Sequence, residues 1–467
     1  MGRRTRKPNT PLTRRTFVRG LAAGGAIASV APHIWIPGRA RAQSSAHGAL
    51  RHLLYIRLGG GFRFPIAFNA DVAEEFNPFG KASGVAEGTE WGVGQLLSRS
   101  GFLDGEDGAA RAALGMQPVT DISNQMSVLT CVDHEPTSAG ADGNHGSGLE
   151  RYYTGYADGT TGFFTMINYG LRERVAAAAA EDKLLLPAFV LGGSGMGRGI
   201  DEYAAHRPPV LSGRGFDDFG VEKGAFPDWA NDMVARTDER YRDRQHEALK
   251  LHVQTYMDTR EATKEYSDIF NSDALKIRNG SDEQVDGISN AELESMFGDT
   301  RAARDMRLAL RLFHYGSPAV YLDQGGYDMH SGEEAGLPGQ FDDLNQLISA
   351  LEASLKRMEH PEGGSYWDHT MVVFGSEFSR TARGRRFNSA RGSDHNSDRA
   401  TRWMSMPFMG GLVARPGAQI GSTASGDLAP GGAVFSYRSV MKTLMDSLGC
   451  DHAEFFPADA PFDDLFT

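Results

Sequence analysis

Ala319-Val320-Tyr321-Leu322-Asp323-Gln324-Gly325-Gly326-Tyr327-Asp328-Met329-His330 reads as a short apolar strand that runs into a glycine-loosened loop carrying a carboxylate and an imidazole. Downstream, Phe341, Leu344, Leu347, Ile348, Leu351, Leu355 and Met358 fall on one face of a helix. A second apolar run, Thr370-Met371-Val372-Val373-Phe374, follows and ends at Gly375-Ser376-Glu377. Strand, amphipathic helix and strand in this order form a βαβ crossover, expected to be right-handed. Strands of a parallel sheet covered on both faces are apolar almost without interruption, and both runs have that character. The unit sets the class as α/β with a mostly parallel central sheet.

Working outward, three further runs fit the same sheet. His52–Leu58 stops at Gly59-Gly60-Gly61, the run 126–132 ends at Asp133-His134, and the run 184–191 ends in a glycine-rich loop at 192–199. Residues 228–313 are charged and helix-rich, and read as an insertion or cap, interrupted by a polar loop at 271–292. The segment 76–110, rich in glycine and polar residues, reads as a long surface excursion. Residues 50–467 are expected to form a single domain around one sheet.

In open α/β sheets, ligands bind outside the carboxyl ends of the strands, so each strand can be asked what it delivers there. Asp328 and His330 are two apart and point the same way in extended backbone. A carboxylate and an imidazole converging from one loop suit a metal ion; a turn with both groups solvated is the alternative. Glu377 lies at the next strand end, as a neighbour of that loop or as a cap on the turn that follows. Arg391-Gly392-Ser393-Asp394-His395-Asn396 is a third loop dense in ligand-type residues. Gly143-Asn144-His145-Gly146-Ser147-Gly148 opens a helix running towards Thr154-Gly155. His145 or Ser147 there could be a nucleophile, base or ligand, and an ordinary capped helix start is the alternative. The Gly193–Gly197 stretch lacks the acidic partner of a dinucleotide site. Asp368-His369 precedes its strand, at the far edge of the sheet from these loops, and reads as structural.

At the N-terminus, Thr13-Arg14-Arg15-Thr16-Phe17 precedes a weakly apolar run, Leu21 to Val30, and small residues ending Ala40-Arg41-Ala42. A basic region, an apolar region and a small-residue cleavage site in that order read as an export signal, with an uncleaved membrane anchor as the alternative. The paired arginines resemble those of a twin-arginine signal. Residues 1–42 hold nine Lys/Arg and no Asp/Glu, so the remainder carries 39 basic against 60 acidic residues, a formal charge of −21. Such a balance argues against nucleic acid or an anionic membrane as partner. It leaves room for an anionic small molecule in a pocket whose local charge is reversed by a metal or arginine. No stable membrane span is expected once the signal is removed. The two cysteines, Cys131 and Cys450, make no disulfide framework; one bridge or two buried thiols are both open.

Taken together, the export signal, Gly-Gly-Tyr-Asp-Met-His at 325–330, Val-Val-Phe-Gly-Ser-Glu-Phe-Ser-Arg-Thr at 372–381 and Gly-Ser-Asp-His-Asn at 392–396 resemble the exported bacterial proteins known as domain of unknown function 1501. That family is in turn similar to the alkaline phosphatase and sulfatase superfamily. The resemblance implies an α/β/α sandwich with a metal-dependent hydrolytic site at the strand ends. It likens Asp328 and His330 to the pair holding one metal, His395 to the late metal histidine, and Glu377 to the position of an Asp-His pair. His145 takes the place of the nucleophile. Related chains carry an aspartate for a second metal in the first glycine loop, where this chain has Gly59-Gly60-Gly61-Phe62-Arg63. The site expected from what remains holds one metal.

The resulting expectation is an exported metal-dependent hydrolase-like protein acting on a phosphate or sulfate ester, delivered by the twin-arginine machinery to the periplasm or beyond. A divalent ion, zinc first and otherwise calcium, magnesium or manganese, would be held by Asp328, His330 and His395, with Glu377 as fourth ligand or supporting base. Arg380 would stabilise charge on the transferred group, and His145 would be nucleophile or general acid/base. The alternative is a non-catalytic periplasmic or surface protein that binds an anionic ligand on a degenerate phosphatase fold. A haem or iron–sulfur carrier does not fit, for want of the cysteine motifs.

Overall fold

Strand β1 (His52–Leu58) is buried along six of its seven residues and is covered by its neighbours on both edges and both faces. The computed structural model describes residues 51–69, 77–83, 91–134, 143–175, 186–192, 195–211, 228–246, 250, 253, 269–270, 272–277, 284–380, 393, 395, 402–423, 430–463 and 465–466. The remaining strands are β2 (Met126–Asp133), β3 (Phe189–Leu191), β4 (Val210–Leu211), β5 (Ala319–Gln324), β6 (Thr370–Gly375), β7 (Trp403–Met409), β8 (Gln419–Ile420) and β9 (Phe435–Ser436). The helices are α1 (Gly105–Ala113), α2 (Val119–Ile122), α3 (His145–Thr154), α4 (Phe163–Gly170), α5 (Asp228–Asp243), α6 (Asn290–Phe297), α7 (Arg301–His314), α8 (Glu333–Arg357) and α9 (Tyr437–Ser447).

Among the described residues the strands make one mostly parallel sheet in the order β4-β3-β5-β1-β6-β7-β2-β8, with β9 also on β2. The five expected strands are all in it. Within the described part of its apolar run, β3 begins at Phe189, after Pro187, which has no N–H to give a ladder. β7 was not expected: it lies antiparallel between β6 and β2 and makes the sheet mixed at that point. β2 carries an irregularity between Leu129 and Val132, where Cys131 takes a φ of 58°, as at a bulge.

The crossover from β5 to β6 is α8, 25 residues long. All seven apolar residues read as its inner face are buried, each contributing about 1.5–3 kcal/mol of burial. Glu333 and Glu334 begin α8, and Lys356 and Arg357 end it, the charge order a helix dipole favours. The segment around 91–103 is no surface excursion. Trp91, Val93, Leu96, Leu97 and Phe102 belong to the core, and Asn345 of α8 donates to the Leu96 and Arg99 carbonyls at 3.1 and 3.0 Å. Within the stretch read as an insertion, α6 and α7 send Leu293, Phe297, Met306, Leu310 and Phe313 into that same core, whereas Trp229, Met233 and Tyr241 of α5 are exposed.

Register places the chemistry. Arg57 of β1 is paired with Asp323 of β5 on one side and Gly375 of β6 on the other. Glu377, two residues beyond Gly375, therefore faces the same way as Arg57. The glycine loop after β1 comes very close to the loop after β5. Gly60 has a φ of +116°, and a Cβ there would lie 2.3 Å from the Asp328 nitrogen; at Gly61, with φ +74°, it would lie 1.9 Å from the Phe378 ring. Only glycine fits both the conformation and the contact. Among the described residues no helix is long and apolar enough to cross a membrane. Cys131 and Cys450 are buried free thiols. The expected export signal at 1–42 lies outside the described residues, as do Arg391, Gly392, Asp394 and Asn396.

Candidate metal centre

Four loops meet at the carboxyl ends of β1, β5 and β6 and the start of α3. His145 is the first residue of α3, fixed there by Asn144, whose side chain accepts from the Gly146 and Ser147 nitrogens at 2.9 and 3.3 Å. The cap of this helix is thus Asn144. Gly155 closes the helix in the left-handed conformation.

Asp328, His330, His395 and His145 converge. His330 Nε2 is 3.2 Å from Asp328 Oδ1, His395 Nε2 is 3.1 Å from His330 Nε2, and His395 Nε2 is 3.8 Å from Asp328 Oδ1. A triangle with those sides has a point about 2.0 Å from each corner, which is the length of zinc bonds to nitrogen and oxygen, roughly 2.0–2.2 Å. His145 Nε2 lies on the other side, 3.3 Å from Asp328 Oδ2. His145, Asp328 and His395 also present ligand-type atoms within 4.8 Å of one another.

Hydrogen bonds fix which nitrogens face the centre. His395 Nδ1 bonds the Gly143 carbonyl. A carbonyl only accepts, so Nδ1 carries the proton and Nε2 presents its lone pair. Burial holds His395 below the ordinary histidine pKa, against the pull of that carbonyl, which keeps the ring neutral as a ligand must be. His145 is arranged alike: Nδ1 is 3.1 Å from Glu377 Oε1, and Nε2 is buried without a hydrogen-bond partner. The Glu377 hydrogen bond raises the His145 pKa, with desolvation working the other way. The His395 and His145 Nε2 atoms and the Asp328 carboxylate thus converge, a donor set of the type that ligates a cation.

Glu377 stands behind His145 rather than beside the triangle. Its Oε1 accepts from the Gly60 nitrogen at 3.0 Å and Arg57 Nη2 at 3.2 Å, and its Oε2 from Arg57 Nε at 3.1 Å and the Ser376 hydroxyl at 3.2 Å. Its two oxygens are taken up by these donors and by His145, which is why it is not one of the converging ligand atoms. Burial works to raise its pKa, but the His145 hydrogen bond and the Arg57 charge prevail and hold it well below the carboxylate range.

Arg380 is fully buried. It donates to Asp328 Oδ1 at 2.8 Å, the Gly60 carbonyl at 2.7 Å and the Ser393 hydroxyl at 3.0 Å. Its guanidinium faces Asp328, not open space. Burial works to raise the Asp328 pKa; the Arg380 hydrogen bond and charge outweigh it and lower it. The contact chain continues through the Ser393 hydroxyl, which donates to Glu333, to Arg63, whose Nη1 is 2.5 Å from Glu333 Oε2. Ser393, Glu333 and Arg63 are all buried. These three, with Arg57 and Asp323, are the residues that sequence reading did not single out. The one available signal was a charged Arg57 inside an otherwise apolar strand.

A second histidine group lies at the opposite ends of the strands. His360, Glu362 and His369 have ligand-type atoms within 4.8 Å of one another, but the His360 and His369 rings stack nearly parallel, 3.7 Å apart at 12°. Stacked rings aim their nitrogens alongside each other, not at one point. His360 Nδ1 accepts from the Glu362 nitrogen at 3.2 Å, and its Nε2 meets that of His52 at 3.4 Å. Burial lowers His52 to about 3 and His360 to about 4, and both are neutral hydrogen-bonding rings. Asp368 forms a capping box with Ser365.

No curated protein matches the chain. Among solved structures, the crystal structure of Ps i-CgsB in complex with k-i-k-neocarrahexaose matches at 9% sequence identity over 88% of this chain and 75% of that one, with a TM-score of 0.35; a likeness this weak carries no argument. Residues 219–462 match the family model described as "Protein of unknown function (DUF1501)". That is more than half of the chain, and the protein belongs to the DUF1501 family.

Proposed function

We propose that the protein is an exported, metal-dependent hydrolase-like protein acting on a phosphate or sulfate ester, with a one-metal site on an alkaline phosphatase-like α/β/α frame. The observation that carries this reading is the donor triangle of Asp328, His330 and His395, with sides of 3.1, 3.2 and 3.8 Å. Two nitrogens and one carboxylate oxygen suit zinc first, with manganese, magnesium and calcium as alternatives. A divalent ion bound there would supply the positive charge that polarises an ester oxygen.

The chain's own residues do the rest. Arg380 holds Asp328 in place and ionised. Gly143 orients His395. Glu377, itself fixed by Arg57 and the Gly60 nitrogen, orients His145 so that Nε2 faces the centre, where it takes up or gives a proton as the ester bond breaks. His145 is the first residue of α3, and the Asn144 cap, which takes the Gly146 and Ser147 nitrogens, fixes where its ring starts. The export signal read at 1–42 puts this chemistry outside the cytoplasm, and the acidic charge balance fits a small substrate rather than a polyanion.

The test is turnover of p-nitrophenyl phosphate and p-nitrophenyl sulfate by protein loaded with zinc or manganese, before and after chelation. Turnover that disappears with chelation and returns with metal is the expected result. Metal-loaded protein inert on both esters, and on a wider ester panel, contradicts the catalytic reading and leaves a protein that binds an anionic ligand at the same centre.

A further inference from the structure

Ser393 is fully buried and stands two residues before His395. Its hydroxyl accepts from Arg380 Nε at 3.0 Å and donates to Glu333. A hydroxyl has one proton to give, so a donor on one side and a carboxylate on the other set its direction. The backbone of Ser393 is held as well. Its carbonyl accepts from Arg380 Nη2 at 3.3 Å, and its nitrogen donates to the Met329 carbonyl at 3.5 Å. Met329 lies between Asp328 and His330.

One guanidinium therefore holds both ligand-bearing segments. Arg380 Nη1 is spent on Asp328 and the Gly60 carbonyl, and Nε and Nη2 on Ser393. The group is planar and rigid, which fixes the separation between the Asp328 carboxylate and Ser393. Glu333 opens α8 and is itself held by Arg63, so the Ser393 hydroxyl also ties His395 to the crossover helix. His395 has close neighbours on its other side. Its ring stacks on Phe378 with centroids 4.8 Å apart at 25°, and a Cβ on Gly143 would lie 1.2 Å from the His395 carbonyl oxygen. Metal–ligand distances have to hold within about 0.2 Å, and the backbone that sets His395 Nε2 is anchored at Ser393.

We propose that Ser393 is a positioning residue for the metal centre: its hydroxyl, held between Arg380 and Glu333, sets the place of His395 relative to Asp328 and His330. The inference deepens the one-metal reading above and rests on it for the ion.

The experiment compares wild type, Ser393→Ala, Ser393→Thr and Ser349→Ala. Ser349 is a buried serine of α8 that accepts from the Gln117 nitrogen at 3.1 Å, and it controls for the loss of a buried hydroxyl elsewhere. Two quantities are measured: Zn2+ affinity by competition with a chromophoric chelator, and, in metal-free protein, the proton resonance of His395 Nδ1–H, assigned by its absence in His395→Ala. Ser393→Ala is expected to fold, to bind Zn2+ about 10–100-fold more weakly, as when a supporting partner of a ligand is removed, and to lose the Nδ1–H signal. Ser393→Thr, which keeps the hydroxyl, and Ser349→Ala are expected to retain both. Wild-type Zn2+ affinity or a retained Nδ1–H signal in Ser393→Ala would overturn the proposal. So would equal losses in Ser393→Thr or Ser349→Ala, a wild type without that signal, or a Ser393→Ala protein that does not fold by circular dichroism. Wild type that binds no Zn2+ sinks the one-metal reading, while the Nδ1–H comparison in metal-free protein still decides the role of Ser393.

Discussion

His145→Ala is expected to lower ester turnover by about 10²–10⁴-fold, the usual contribution of a positioned acid or base, while bound metal stays within twofold of wild type. The ring is anchored on one side only. Nδ1 is spent on Glu377, and Nε2 is buried, unpartnered and 3.3 Å from Asp328 Oδ2. A group that faces the reacting centre with its working atom free costs rate when removed. A group that only fills space costs stability. The alternative is explicit in the geometry, because His145 also lies within ligand reach of Asp328 and His395. Loss of the metal in His145→Ala would make it a ligand and refute the acid/base role. Unchanged turnover would remove it from the chemistry.

Glu377→Ala is expected to destabilise the fold by about 3–5 kcal/mol, the cost of breaking a buried ion pair from one side. The value should sit towards the lower end, since Asp323 still holds Arg57 Nη1. Equilibrium denaturation of variant and wild type at neutral pH measures it. The same carboxylate gives a pH dependence. Its pKa is held below the ordinary carboxylate value, so its stabilisation is fully present above about pH 4.5. It is lost as the pH falls below that towards the depressed folded value. Wild type should therefore lose stability through this acid window, and Glu377→Ala should lose less. A change under 1 kcal/mol, with the same acid sensitivity in both proteins, would show that the Arg57–Glu377 pair does not hold the strand ends together.

The crossover from β5 through α8 to β6 was legible because burial on both faces leaves a strand no polar residues and leaves a helix one apolar stripe. The chain beyond β5 and beyond β6 brings Asp328, His330 and His395 together, with β1 between the two strands. β7 was not legible. Its Trp403-Met404-Ser405-Met406-Pro407-Phe408-Met409 contains a proline that argues against a central strand, yet Pro407 sits opposite Val128 in the ladder. The segment 91–103 was misread because its glycines and polar residues hide the spaced apolar residues that α8 covers. For Glu377, spacing gave the right place and the wrong neighbour. Only register reveals that Arg57 points at it. The buried relay from Arg380 through Ser393 and Glu333 to Arg63 joins residues far apart in the chain, and no local pattern marks it.

The most direct test of the account is elemental analysis of protein purified from the exported fraction, beside an Asp328→Ala/His395→Ala double variant. Asp328 is a corner of the donor triangle and half-exposed, and His395 is the corner held by Gly143, so the double variant removes the centre without touching the strands. The expected result is close to one zinc or other divalent ion per chain in wild type and none in the double variant, with both proteins folded by circular dichroism. Equal metal in the two proteins, or none in wild type even after reconstitution with zinc and manganese, would contradict a metal centre at Asp328, His330 and His395.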